Sequence, residues 1–210
     1  MRSNPYHIAS KYLLTLTSYN TKENKLSNLI HKAIDFATAA HEGQYRKGST
    51  QPYIIHPIAV GEILQEMSDD EEVICAGYLH DTIEDCPEVT KEVLEREFTP
   101  RVAWIVACES EDKSKTWNER KEKTIKELEG APYEVQMVAL ADKLSNIREL
   151  KKDYEEHGEE VWNRFTIRDK DKIGLYYKGI RDSLGNSFRE DEYYIEYCHL
   201  VKDVFGKDKD

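Results

Sequence analysis

No apolar run in this 210-residue chain approaches the length that crosses a membrane. The one apolar piece near its start, Tyr12 to Thr17, is too short for the core of a signal peptide. Positive charge is also short: 30 Lys and Arg stand against 41 Asp and Glu, a net charge of −11. Nucleic-acid and anionic-membrane binders need a broad basic surface, so both classes are disfavoured, whereas a small anion held by a few local cations is not. Cysteine is sparse. Cys75, Cys86, Cys108 and Cys198 form no CxxC pair, and Cys75 and Cys108 lie in apolar runs. Buried free thiols in a reducing cytoplasm are expected, not a disulfide framework. Repeats, Ser/Gly-rich linkers and low-complexity blocks are missing too, so nothing divides the chain.

What is present is helical periodicity. In NKLSNLIHKAIDFATAAHEG, residues Leu26, Leu29, Ile30, Ala33, Phe36 and Ala37 share one face, and Gly43 is the expected stop. PIAVGEILQEM should start a helix at Pro57. DDEEVICAGYLHDTIED opens with an acidic turn and should run as one helix to Asp85, before Pro87. VTKEVLEREF, PRVAWIVACES and NERKEKTIKELEG follow. The longest helix is expected between Pro132 and Gly158, and two more at about 170–183 and 189–204. No convincing alternating strand is found. The expected class is all-α, a bundle of about eight to ten helices in a single domain over 25–206. Residues 1–24 read as a polar lead-in and 207–210 as a loose tail.

The stretch LHDTIED concentrates charge. In one continuous helix, His80 and Glu84, and Asp81 and Asp85, would be paired four apart along one side. Glu84 and Asp85 would then sit at the negative end of the helix dipole, each unfavourable by roughly 0.3–1 kcal/mol. A divalent cation would compensate them; a solvated acidic helix end is the competing reading. Further ligand types occur elsewhere. His56 lies in the apolar PYIIHPIAV, and could equally be a satisfied core histidine. Asp142 lies in the apolar VQMVALADKLSNI, where a carboxylate is costly unless bound to a metal or paired, for instance with Lys143 or Arg148. Asn146 is one turn further on. His56, His80, Asp81 and Asp142 together suit Mn²⁺, Fe²⁺, Zn²⁺ or Mg²⁺ with positions left for water and substrate.

Two basic stretches could meet an anion. QYRKGSTQPY offers Arg46, Lys47 and the backbone of a turn at Gly48, or is an ordinary surface loop. In EDKSKTWNERKEKTIK, Lys113, Arg120 and Lys121 are the expected inward members, with Lys113 the foremost ligand candidate, against a solvated face of alternating charge.

In order, RKGSTQPYIIHP, LHDTIED, ESEDKSKTWNERK and ALADKLSNIREL resemble the HD-domain superfamily. Within it they resemble the (p)ppGpp hydrolases, the hydrolase half of RelA/SpoT-type proteins and the small stand-alone alarmone hydrolases of the stringent response. The resemblance covers about residues 25–185. It implies an all-helical HD fold, one Mn²⁺ per chain, and release of pyrophosphate from the 3′ position of a guanine nucleotide. By motif, it assigns His56, His80, Asp81 and Asp142 to the metal, and Glu84 and Asp85 to the chemistry. It assigns Arg46, Lys47 and Asn146 to the nucleotide, with Tyr176 as a looser match for an aromatic that faces it. Gly48-Ser49-Thr50-Gln51 departs from the SGEP of the bifunctional enzymes and fits the small branch better. Ser145 stands where a bulkier residue is frequent. Alarmone synthesis is not expected. The competing functions are an HD phosphohydrolase on another nucleotide (a deoxynucleoside phosphate or the 2′-phosphate of NADPH) and a catalytically silent nucleotide-binding module.

Overall fold

The computed structural model describes residues 27–206. The lead-in expected at 1–24, Leu26 and the tail at 207–210 lie outside the described residues.

Most helix starts follow side-chain caps. Ser27 accepts from the Ile30 amide to open α1 (Asn28–Ala40), and the chain then leaves through Gly43 at φ 77°. A short loop follows, closed by a single antiparallel bridge between Tyr45 and Pro52. It leads into α2 (Ile55–Met67), which begins two residues before the expected Pro57, on an Ile54 already in helical geometry. Asp70 caps α3 (Glu71–Leu79) by accepting from the Glu72 and Val73 amides. A separate turn of helix, α4, spans Thr82–Asp85. Thr90 caps α5 (Lys91–Glu97) and Thr99 caps α6 (Pro100–Glu109), which has the proline in its first turn. Thr116 and Glu119 form a capping box on α7 (Trp117–Glu129). The long α8 (Tyr133–His157) stops at Gly158, φ 57°, and passes into a 3₁₀ stretch, Gly158–Arg164. Asp169 and Asp191 cap α9 (Lys170–Phe188) and α10 (Glu192–Phe205).

Among the described residues the secondary structure is helical with no strand, as the periodicity requires. The core forms around α8, which packs on α2, α3, α6, α9 and α10. Its residues Val138, Leu140, Ala141, Leu144 and Ile147 are buried. The crossing of α2 and α3 is close because it is made at glycines. A β-carbon on Gly61 would stand 2.3 Å from the Tyr78 ring, and one on Gly77 2.1 Å from Leu64 Cδ1. That crossing matters because α2 carries His56 and α3 leads directly to His80.

Three expectations are corrected. The helix through LHDTIED is interrupted at His80–Asp81, between α3 and α4. The cause is side-chain competition for the last carbonyls of α3: the His80 ring takes the Gly77 carbonyl, and the Thr82 hydroxyl takes that of Leu79. The helix expected at 170–183 continues to Phe188, since Leu184 and Phe188 are buried, and Gly185 makes room for the Tyr194 hydroxyl instead of ending the helix. Finally, Cys108 is exposed and Cys86 buried; Cys75 is buried as expected, and all four cysteines are free.

Candidate functional site

Three segments far apart in sequence meet at one point. His56 comes from the first turn of α2, His80 and Asp81 from the break after α3, and Asp142 from the middle of α8. His56 Nε2 lies 3.0 Å from Asp142 Oδ1 and 3.7 Å from Asp81 Oδ2. His80 Nε2 lies 3.1 Å from Asp81 Oδ2 and 3.7 Å from Asp142 Oδ1. Ligating N and O atoms stand about 2.0–2.2 Å from a first-row divalent ion, so neighbouring ligands are roughly 3 Å apart, as these are. The ligand atoms of the buried His56, His80 and Asp142 all fall within 4.8 Å of one another.

The surroundings aim these atoms inward. His80 Nδ1 bonds the Gly77 carbonyl at 2.8 Å and His56 Nδ1 the Ser145 hydroxyl at 3.1 Å. That leaves both Nε2 atoms facing the centre, and His80 Nε2 is buried with no hydrogen-bond partner. Tyr53 donates to Asp81 Oδ2 at 2.6 Å, and the Asn146 amide donates to Asp142 Oδ1 at 2.6 Å. Lys143 pairs with the other Asp142 oxygen. Burial disfavours a charged His80, yet the Asp81 and Asp142 carboxylates outweigh it and raise its pKa to about 9. Burial opposes charge on Asp81 too, and the two imidazoles still hold its carboxyl below the usual carboxylate range. The electrostatics therefore favour positive charge among these four groups, and the donor set fits a divalent metal ion.

The expected acid pair lies beside this centre and has its own partners. Glu84 Oε2 accepts the Glu111 amide N–H at 3.1 Å, and Asp85 pairs with Lys113. Lys113 Nζ is also 3.7 Å from Glu84. The compensation for these acids thus comes from the loop between α6 and α7. Burial raises the Glu84 carboxyl above its ordinary value, helped by Asp81 and Asp85 and opposed by the Glu111 N–H. From behind, the Gln44 amide donates to the Asp85 carbonyl at 3.0 Å.

Apart from Ser145 and Gly77, these groups line one cleft of about 1240 Å³. Arg46 reaches into it on a platform made by Tyr53, whose ring centroid is 5.6 Å from the guanidinium carbon. Arg46 is tied to Glu149 and, at 3.1 Å, to Asn146 Oδ1. One hydrogen-bonded chain therefore runs from Glu149 through Arg46 and Asn146 to Asp142. Lys47 lines the cleft and is exposed, and Tyr176 lines it and is buried. Arg120 and Lys121 turn inward as expected, both bound to Glu111; Lys113 is the more exposed of the three. Asp142 does pair with Lys143, while Arg148 binds Glu196 instead.

Tyr53, Ser145, Lys143 and Glu111 were not read from sequence as site residues. Tyr53 had a signal, a lone phenol in the same apolar stretch as His56. Ser145 and Glu111 had none, because their roles depend on which helix faces them.

Residues 33–170 match the HD domain family, and the chain belongs to it. Among curated relatives, the guanosine-3′,5′-bis(diphosphate) 3′-pyrophosphohydrolase MESH1 of Danio rerio is 39% identical over 124 residues, covering 58% of this chain and 68% of that protein. Chloroplastic RSH1 of Oryza sativa subsp. japonica is 40% identical over 138 residues, 59% of this chain, but the match spans only 15% of the plant protein's length. A solved structure described as a metazoan ortholog of SpoT that hydrolyzes ppGpp superposes with a TM-score of 0.74 at 25% identity, covering 88% of this chain and 99% of the other.

Proposed function

We propose that this chain hydrolyses the 3′-pyrophosphate of ppGpp and pppGpp, giving GDP or GTP and pyrophosphate, with Mn²⁺ held by His56, His80, Asp81 and Asp142. The observation that carries this reading is the junction of that inward-facing His/Asp centre with the Glu84–Asp85 pair in one cation-lined cleft. The activity named for MESH1 and for the SpoT ortholog supports the choice of nucleotide.

A bound ion supplies a water of lowered pKa and offsets phosphate charge. The rest falls to the chain's side chains. Tyr53 and Asn146 orient the carboxylates of Asp81 and Asp142 by hydrogen bonds. Glu84 takes a proton from the attacking water, a role its raised pKa suits, and Asp85 is the neighbour that can share it. A new oxygen–phosphorus bond forms at the 3′-linked phosphorus, the bond from that phosphorus to the ribose oxygen breaks, and the ribose oxygen ends protonated. Lys113 offsets charge on the phosphates once it leaves Asp85. Arg46, braced by Tyr53, Glu149 and Asn146, presents a flat guanidinium to the nucleoside together with Lys47. The four free cysteines accord with a cytoplasmic setting.

The test is product analysis after incubation with ppGpp and Mn²⁺. GDP and pyrophosphate in equal amounts are expected. Orthophosphate release from NADPH or a deoxynucleoside phosphate, with ppGpp left intact, would replace this reading by another HD phosphohydrolase. Tight ppGpp binding without turnover would make the chain a binding module.

A further inference from the structure

Part of the cleft lies along α7 and α9, next to the His/Asp centre but not in it. Two buried polar atoms there have no hydrogen-bond partner, the Tyr176 hydroxyl and Arg120 Nε. The Tyr176 ring is already engaged. The Lys121 and Lys143 ammonium groups lie 4.6 and 5.9 Å from its centroid, and the Trp117 and Tyr177 rings meet it at 6.2 and 5.8 Å in edge geometry. It is therefore no open platform for a base, and its unsatisfied function is the hydroxyl.

Three cations of this wall, Arg120, Lys121 and Lys143, share two carboxylates. Arg120 and Lys121, at 2.8 and 2.9 Å, share the single carboxylate of Glu111, which also accepts from Thr124 at 2.9 Å. Lys143 has Asp142 as its partner, and that carboxylate also serves the His/Asp centre. Glu109 also lines the cleft, and burial pushes its carboxyl up to about 7. The wall borders the reacting point on two sides. Lys143 is the chain neighbour of Asp142, and the Glu111 amide holds Glu84.

We propose that Tyr176, Arg120, Lys121 and Lys143 receive the distal phosphate of a diphosphate ester whose proximal phosphorus lies at the His56–His80–Asp81–Asp142 centre. The placement of that proximal phosphorus rests on the phosphohydrolase reading above. The distal group is joined to the reacting phosphorus through one bridging oxygen, so it must lie beside the centre, where this wall is. Water adds to the proximal phosphorus, the ester bond to the nucleoside oxygen breaks, and that oxygen takes the proton. The P–O–P bridge stays intact. The distal phosphate keeps its contacts throughout and leaves as half of pyrophosphate. A monophosphate ester leaves the Tyr176 hydroxyl and Arg120 Nε unsatisfied, so the wall selects for pyrophosphate release over orthophosphate release.

The test is calorimetric titration of the full chain, freed of loose metal by dialysis, with inorganic pyrophosphate and with orthophosphate. Pyrophosphate should bind about 10-fold or more tightly than orthophosphate, as expected for added charge-assisted hydrogen bonds. Tyr176→Phe and Arg120→Gln should each weaken pyrophosphate about 10-fold and leave orthophosphate unchanged. Lys126→Gln, which removes an exposed cation from the same helix, should bind as the wild type does. A melting curve establishes that each variant folds; should Arg120→Gln unfold, Tyr176→Phe decides alone. Equal binding of the two anions, or wild-type pyrophosphate affinity in Tyr176→Phe, would overturn the proposal. The titration uses no nucleoside and no turnover. A chain that ignores ppGpp but passes it would lose the guanine assignment and keep this subsite.

Discussion

Asp142 is a buried carboxylate whose oxygens are held by three side chains, His56, Asn146 and Lys143. The same is true of Glu84 in a milder way, since one of its oxygens is taken by the Glu111 amide. The two should respond differently to loss of charge. Asp142→Asn is expected to lose the divalent metal and all turnover while keeping its helical circular dichroism; full metal occupancy in the purified variant would remove Asp142 from the ligand set. Glu84→Gln should retain metal and nucleotide and slow turnover by about 10²–10⁴-fold, the range for a lost general base. The pH dependence follows from the direction of its shift. A base must be ionised, so the acid limb of the wild-type rate profile should lie above the ordinary glutamate value of 4.5, and it should disappear in Glu84→Gln. A raised carboxyl pKa also means that ionised Glu84 costs the folded state stability. The cost is absent below the unfolded value and appears as pH rises through the folded one. Glu84→Gln should therefore be as stable as wild type or slightly more so at neutral pH. The dipole reason drawn from sequence does not apply, because Glu84 and Asp85 occupy a four-residue helix, not the end of a long one. An unshifted acid limb in the variant would make Glu84 a bystander.

At the level of elements, the approach of His56 to His80 is set by how α2 crosses α3. Their ring centroids are 5.1 Å apart. Gly61 lies on α2 a turn and a half beyond His56, against the fully buried Tyr78 on α3, two residues before His80 at the break. Gly61→Ala would force the helices apart. Overpacking of this kind costs about 1–3 kcal/mol, which should appear as a lower melting temperature together with weaker metal binding. Wild-type metal affinity in a destabilised Gly61→Ala would separate the crossing from the site. Caps, prolines and apolar spacing made most of these helices legible beforehand, since each depends on neighbours within four residues. The break at His80–Asp81 was not legible. It arises from a ring and a hydroxyl turning back onto main-chain carbonyls, a choice that periodicity does not encode.

For the molecule as a whole, the His/Asp centre joins α2, the α3–α4 break and α8, segments separated by up to 86 positions between His56 and Asp142. An ion that binds only the folded chain should stabilise all three together, by about 2.7 kcal/mol when its concentration is 100 times Kd. Melting temperature should rise with added Mn²⁺ and fall on chelation, with little change in helical signal at 25 °C. A melting temperature indifferent to divalent ions would remove the metal from the centre. No described helix is long and apolar enough to cross a membrane, consistent with folding around the buried α8.

Local rules account for what the chain alone determined. Helical class, most helix limits and the identity of the two histidines and two aspartates as an unusual set all follow from residue type and short spacing. An acid or imidazole in an apolar run is costly wherever it lies. Tertiary structure decided the rest. That Ser145 meets His56, that Glu111 holds Glu84 while gathering Arg120 and Lys121, and that Tyr176 offers a hydroxyl and not an open ring are results of which helix faces which. Such contacts join residues tens of positions apart, and their geometry is set by core packing, so no window of sequence contains them.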